Sequence, residues 1–223
     1  MQLPLPQTLD RRETLRYLGA AGWQPDAAAA ALLSDAEASL RRAATPRGVW
    51  RELPFTALPL AQAGTDLARH LAGCQTMVLM AVTLGSGVDS LLRRLCLTDI
   101  SRGTATDAMA SVMAEAVCNE LETGIRQTIT AGGRFLTGRY SPGYGDCPLA
   151  LQDDFCLALD TVRGIGVAVS PEHLLTPRKS VTAILGVADA PVTGAPAGCG
   201  HCLLRTKCAY RKRGTTCANP NDP

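Results

Sequence analysis

Aromatic side chains are scarce in this chain: three Phe, two Trp and four Tyr account for 4% of 223 residues. Histidine is scarcer, with three copies, none set in a recognisable triad, and no two carboxylates are spaced for acid–base work. Asp153 and Asp154 are adjacent, and successive residues of a helix do not face each other, so the pair reads as a solvated face. Proton-transfer catalysis has little to draw on. Long apolar runs are also missing: the longest, residues 77–82, falls far short of the ~20 residues that span a bilayer. Met1-Gln2-Leu3-Pro4 leads into Asp10-Arg11-Arg12-Glu13 without the apolar stretch of a secretory leader. Net charge is only +2, which favours neither nucleic acid nor a membrane surface as partner.

What the chain has is a 46% hydrophobic fraction rich in Ala, Leu and Val, enough for one domain of moderate size with appendages. Nine cysteines are an odd number, and five are scattered singly through apparent core elements. That usage fits reduced thiols in a cytoplasm better than a disulfide framework. Three parts are expected: an N-terminal helical segment over 1–48 packed on the rest, a core over 49–188, and a linker with a Cys-rich tail over 189–223.

Residues 1–9 read as an extended arm. Asp10 and Asp26 are positioned to cap helices running to 18 and 43, the second with an apolar stripe of Leu32, Leu33, Ala36 and Leu40. Arg11, Arg12 and Arg16 read as a solvated face. A strand is expected over 49–55, interrupted by Pro54, and a short helix over 65–71, whose His70 reads as a surface or capping residue. Residues 75–84 form a continuous apolar run that reads as a buried strand. Gly85-Ser86-Gly87 then turns the chain into a helix over 88–96; it has neither the spacing nor the lysine of a phosphate loop. The clearest helix covers 106–125, with Met109, Val112, Met113, Ala116, Val117 and Ile125 as its core stripe. Glu115 lies off that stripe with Ala108, Ser111 and Asn119, and on pattern alone it is a solvated glutamate. Residues 134–139 read as a strand, 180–187 as another, and a helix runs to about 162 with Asp146 near its start and Pro148 in its first turn. Cys147 and Cys156 read as small buried thiols, and His173 has no evident partner.

The most informative stretch is Arg139-Tyr140-Ser141-Pro142-Gly143-Tyr144, followed by Gly145-Asp146-Cys147-Pro148. A guanidinium is a permanent cation that grips a carboxylate through two parallel hydrogen bonds. Pro142 fixes one backbone angle, Gly143 lets a ligand approach the main chain, and Tyr144 offers an aromatic face with a polar tip. These residues could form a pocket for a small zwitterion, or an ordinary Pro-Gly turn beside a surface arginine.

The order R-x-x-x-G-Y then x-x-C-P resembles the S-adenosylmethionine-binding signature of the activation (reactivation) domain of cobalamin-dependent methionine synthase. The similarity extends through Leu149-Ala150-Leu151-Gln152 to Gly164-Ile165-Gly166-Val167 and resumes at Pro177-Arg178-Lys179-Ser180-Val181-Thr182-Ala183. Upstream, residues 78–85 resemble the family's core strand, and Ala114-Glu115-Ala116 its long helix. The resemblance covers roughly residues 75–187. It implies an α+β fold, a twisted and mostly antiparallel sheet with flanking helices, in a separately encoded form of the domain. It implies a cytoplasmic component of methionine biosynthesis that binds S-adenosylmethionine and serves reductive methylation of an oxidised, cob(II)alamin-bearing partner. One electron gives cob(I)alamin, a strong nucleophile, and the sulfonium is a good leaving group, so no proton has to move. Arg139 would then clamp the methionyl carboxylate, Gly143 and Tyr144 shape the pocket, Pro142 stiffen the loop, and Glu115 bind the ligand's ammonium or a ribose hydroxyl. No counterpart of the family's N-terminal acidic contact or of its C-terminal tyrosine-bearing segment is found. A competing expectation is a metal or iron–sulfur adaptor that passes electrons to a corrinoid enzyme and binds no nucleoside.

The tail has Cys199-x-x-Cys202-x5-Cys208-x8-Cys217, four thiols in nineteen residues, with Arg205, Lys207, Arg211, Lys212 and Arg213 interleaved or close by. Thiolates at such spacing can hold zinc or an iron–sulfur cluster, and the alternative is a disordered tail with reactive thiols. The family's domain has no such tail. An iron–sulfur centre would suit a reaction that consumes an electron. It predicts a visible charge-transfer spectrum and stoichiometric iron in anaerobically purified protein; a colourless, zinc-loaded protein rules the cluster out.

Overall fold

The computed structural model describes residues 1–192, Gly194 and residues 206–208. Cys199, Cys202 and Cys217, three of the four proposed metal ligands, lie outside the described residues. Among the described residues no three Cys, His, Asp or Glu side chains are grouped to hold a metal ion. No helix among them is long and apolar enough to cross a membrane.

A four-stranded antiparallel sheet is the centre of the fold. Its strands are β1 (Arg47–Leu53), β2 (Thr76–Thr83), β3 (Phe135–Leu136) and β6 (Ser180–Ala188), in the order β1-β2-β6-β3. A small hairpin, β4 (Ala168–Val169) with β5 (Leu175–Thr176), stands apart from it. Helices flank both faces: α1 (Arg11–Tyr17), α2 (Ala27–Ala43), α4 (Ser86–Thr98) and α5 (Ile100–Ala131) on one, α3 (Thr65–His70), α6 (Leu151–Leu159) and α7 (Thr161–Ile165) on the other. The α+β architecture expected from the sequence is therefore the one found.

The continuous apolar run of β2 follows from this layering. Val78, Met80 and Val82 join Leu33, Ala36 and Leu40 of α2 and the stripe of α5 in one core. Met77, Leu79 and Ala81 face Leu67, Phe155, Leu159 and Ile165 in a second core. A strand buried on both faces loses the polar half of its alternation. The N-terminal arm is also built in: Gln2 bridges to Arg47, Leu3 is buried, and the Met1 ammonium donates to Gly48 O at 2.8 Å.

Side-chain caps set the starts of α1, α2 and α5. Asp10 and Asp26 accept from backbone N–H groups at the starts of α1 and α2, as expected. Helix α5 is longer than 106–125. Asp99 caps it through Arg102 N at 3.0 Å, and buried Gly103 packs against Leu95 of α4, so tertiary contact recruits a Ser101-Arg102-Gly103-Thr104 turn whose Ser, Gly and Thr have weak helix propensity. The helix expected to run to about 162 is split. Asp160 adopts a left-handed conformation (φ 51°, ψ 49°) that ends α6 and starts α7. Gly85, at φ +86°, makes the strand-to-helix turn before α4, and a side chain there would strike Thr45.

Phe155 is fully buried and sits in the middle of the second core. Phe155→Ala should destabilise the fold by about 3–5 kcal/mol, the usual cost of an aromatic cavity, read as a lowered urea midpoint. A loss below 1 kcal/mol would mean that the α6 face is not packed as described.

Candidate functional site

The edge of β6 carries the motif. Leu136 pairs with Val187, and Thr137 N donates to Gly186 O at 3.0 Å, yet the next paired residue is Tyr140, bridged to Ile184. Three steps on one chain match two on the other, so the expected strand over 134–139 is interrupted by a bulge, here containing Gly138. A bulge re-aims the side chains that follow it. Thr137 faces His70, Arg139 turns to α5, and Tyr140 packs into the second core.

Arg139 meets three acceptors on one face of α5. Its Nη2 donates to Asn119 Oδ1 at 2.8 Å and to Glu115 Oε2 at 3.3 Å, and its Nε lies 3.3 Å from Glu122 Oε2. Its Nη1 is buried with no acceptor among the described residues. Glu122 is shared, because Arg126 Nη2 holds its other oxygen at 2.8 Å. Arg126 also donates to Leu136 O and Thr137 O, so the helix face is tied to the backbone that enters the bulge. The sequence alone presents Arg139 as a cation open to a ligand and Glu115 as a solvated glutamate. In the structure the two are ion-paired, with side chains 21% and 52% exposed.

Beyond Arg139 the loop is fastened to itself and to the sheet. Ser141 Oγ donates to Thr182 O at 2.7 Å, Gly143 N to Cys147 O at 3.1 Å, and Cys147 N to Tyr144 O at 3.0 Å. Tyr140 OH donates to Tyr144 O at 2.9 Å, and burial pushes its phenol up to about 12. Pro142 is buried, Gly143 sits at φ +89° with its main chain exposed, and the Tyr144 side chain projects outward, 67% exposed. A conformation with φ near +90° favours glycine, so the motif's Gly is a backbone requirement.

Asp146 departs from expectation. It does not cap the helix that follows it; its carboxylate accepts from Thr65 N (2.8 Å), Thr65 Oγ1 (2.7 Å) and Asp66 N (3.0 Å), capping α3 from eighty residues away. Asp66 returns the contact by accepting from Asp146 N at 3.3 Å. Gly64 at the head of α3 has no side chain to cap with, which leaves room for this carboxylate.

The histidines also differ from the sequence reading. His70 is buried rather than at the surface, its Nε2 within 2.9 Å of Gly138 O and 3.0 Å of Thr137 Oγ1. His173 has a partner in Asp153, at 2.5 Å. Cys147 and Cys156 are buried as expected. Burial raises both thiols, Cys147 to about 11, and Cys118 beneath Arg139 to about 12, so all three stay protonated.

Open depressions of about 470 Å³ between α2 and α4, and of about 340 Å³ beside Gln2 and Arg47, lie away from this loop. The convergent chemistry is instead an open edge, with Arg139 and Glu115 at its α5 side and Gly143 and Tyr144 in the adjoining loop. Asn119, Glu122 and Arg126 belong to this arrangement. Their spacing from Glu115 by four, seven and eleven residues is a single helix face, a signal present in the sequence but masked by the stronger apolar stripe.

No protein-family model matches the sequence, and no curated protein matches it. Among solved structures, the MetH reactivation domain bound to AdoHcy is similar, with a TM-score of 0.60 and 17% identity over 94% of this chain and 82% of that chain. At that identity the likeness is one of fold.

The Asp146 carboxyl is held down at about 2, first by Asp66 N and then by Thr65. An unfolded Asp titrates near 3.9, so this contribution to stability is complete above that pH and is lost as pH falls through about 2. Asp146→Asn should therefore lower the thermal midpoint at pH 7 and flatten its decline between about pH 4 and pH 2. A variant as acid-sensitive as the wild type would show that another carboxylate sets the acid limb.

Proposed function

We propose that this chain is a reactivation protein for cobalamin-dependent methionine synthase or a similar corrinoid protein, and that it binds S-adenosylmethionine at the Arg139–Tyr144 edge. The observation that supports this most is the meeting of Arg139 and Glu115. They lie 24 residues apart in sequence, on a sheet-edge loop and a helix, and the family resemblance gives each a ligand contact. The shared fold of a domain solved with AdoHcy supports the same reading.

S-adenosylmethionine bound here would supply a methyl group to the partner's corrinoid, the carbon–sulfur bond breaking with its electron pair kept by sulfur. The residues present suit such a ligand. Arg139 would orient the methionyl carboxylate, and Gly143 admits close approach to the main chain. Tyr144 places an aromatic face at the rim, where a ring could stack. Pro142, buried under the loop, stiffens it. Holding and orienting are the whole task of such a site, which accords with its lack of an acid–base pair. The open edge suits a donor that a docked corrinoid protein must reach. An iron–sulfur or zinc site at Cys199, Cys202, Cys208 and Cys217 would add an electron-transfer or structural role and a possible contact for an electron donor.

One observation favours the second reading, an adaptor for a corrinoid enzyme that binds no nucleoside. Arg139 already has Glu115 and Glu122 beside it, so its charge is not waiting for a ligand. Titration calorimetry with S-adenosylmethionine separates the two. The first reading predicts a saturable signal in the wild type that Arg139→Ala abolishes; a flat wild-type trace assigns the chain to the adaptor class.

A further inference from the structure

Helices α2 and α4 meet backbone to backbone at Gly87. A side chain on Gly87 would come within 2.4 Å of Ala43 O, so glycine is what lets the last turn of α2 lie against the first turn of α4. Beside that contact is the open depression of about 470 Å³. Ser39, Arg42 and Ala43 line it from α2, and Gly87, Ser90, Leu91 and Arg94 from α4, each set on one helix face by its three- and four-residue spacing. Leu91 is buried and Ala43 half-buried, whereas Arg42, Arg94 and Ser90 are exposed. Among the described residues no carboxylate lines it. Other arginines are matched at close range: Arg41 by Glu37, Arg102 by Asp35 and Asp99, Arg126 by Glu122, Arg134 by Glu52. Arg42 has only Ser39 Oγ, at 3.2 Å, and the Arg94 guanidinium has no partner among the described residues. The carboxylates closest in sequence are engaged elsewhere. Asp35, one turn before Ser39, is held by Arg102 at 3.2 Å, and Asp89 accepts from Arg178 N at 2.9 Å.

We infer that the depression between α2 and α4 binds a small phosphate monoester, at a site that shares no residue with the Arg139 edge. Two unmatched guanidinium groups, one from each wall, answer a dianion better than a single carboxylate. A phosphate ester carries close to two charges at neutral pH and three strong acceptor oxygens, which can take hydrogen bonds from Arg42 and Arg94 together with the Ser39 and Ser90 hydroxyls. Leu91 and Ala43 give the organic remainder of the ester an apolar surface. No aromatic side chain lines the depression, so nothing there stacks a base, and a sugar or alkyl phosphate suits it better than a nucleotide. The volume lies within the range of small-molecule sites. Binding here makes and breaks no covalent bond.

The full chain is titrated with inorganic phosphate and with butyl phosphate at an ionic strength held constant with chloride, followed by phosphorus NMR of the ligand. Both should saturate, with butyl phosphate the tighter because of the Leu91 and Ala43 surface. Affinity should fall as pH drops below about 6, where the ester takes up its second proton. Arg42→Gln and Arg94→Gln should each weaken butyl phosphate by roughly tenfold or more, as expected for the loss of one charge-assisted contact. Arg93→Gln, an exposed change on α4 outside the lining, should leave it unchanged. All three side chains are exposed, so the thermal midpoints should stay together and a folding defect is read separately. A titration that does not saturate overturns the site. Equal weakening by Arg93→Gln shows a diffuse positive surface and overturns it as well. Equal affinity for inorganic and butyl phosphate overturns the ester assignment, and tighter binding of a phosphoserine peptide than of butyl phosphate overturns the small-molecule one. Saturating S-adenosylmethionine should leave the phosphate affinity unchanged, so either site can fail without the other.

Discussion

The bulge at the β6 edge is the constraint on which the candidate site depends. One extra residue between Thr137 and Tyr140, set against Ile184 and Gly186, exchanges the faces of every side chain after it. Without it, alternation from Leu136 would send Arg139 toward the second core and Tyr140 toward α5. With it, a cation reaches the carboxylates of the long helix and an aromatic ring closes the opposite core. His70 and Thr137 hold the insertion in place through Gly138 O and the ladder at Gly186, which accounts for a buried imidazole in a chain with so few.

Around this point the structure balances charge instead of excluding it. Arg126, Glu122, Arg139 and Glu115 alternate in sign along one side of α5, and Asn119 fills the gap between the carboxylates. The alternation lets two arginines lie near the sheet edge without a full desolvation penalty, because each has a carboxylate in contact and water at its rim. A site built this way is open and polar.

Much of the architecture was legible in the residue pattern. The apolar run of β2, the stripe of α5 and the caps at Asp10 and Asp26 all state local physics that tertiary contact reinforces. Arg139, Gly143, Tyr144 and Glu115 were legible as a set through the motif order, and the fold brings Arg139 and Glu115 together. The parts that escaped are long-range. Nothing in Asp146's own neighbourhood says that its carboxylate belongs to Thr65 and Asp66, because the local rule assigns it to the helix after it. The bulge was hidden for the same reason: a period-two reading cannot register an insertion whose evidence is the partner strand. His70 and His173 were misjudged because their partners, Thr137 and Asp153, lie 67 and 20 residues away.

The reciprocal contact between Asp146 and the head of α3 joins two segments into one cooperative unit. A six-residue helix has no independent stability in water, and here two of its free amides are satisfied by the loop that carries Gly143 and Tyr144. Fraying of α3 and loosening of that loop are therefore expected to be coupled. The loop is thus moored by a stretch of chain some eighty residues distant in sequence, and changes in residues 64–70 are expected to be felt at Gly143 and Tyr144.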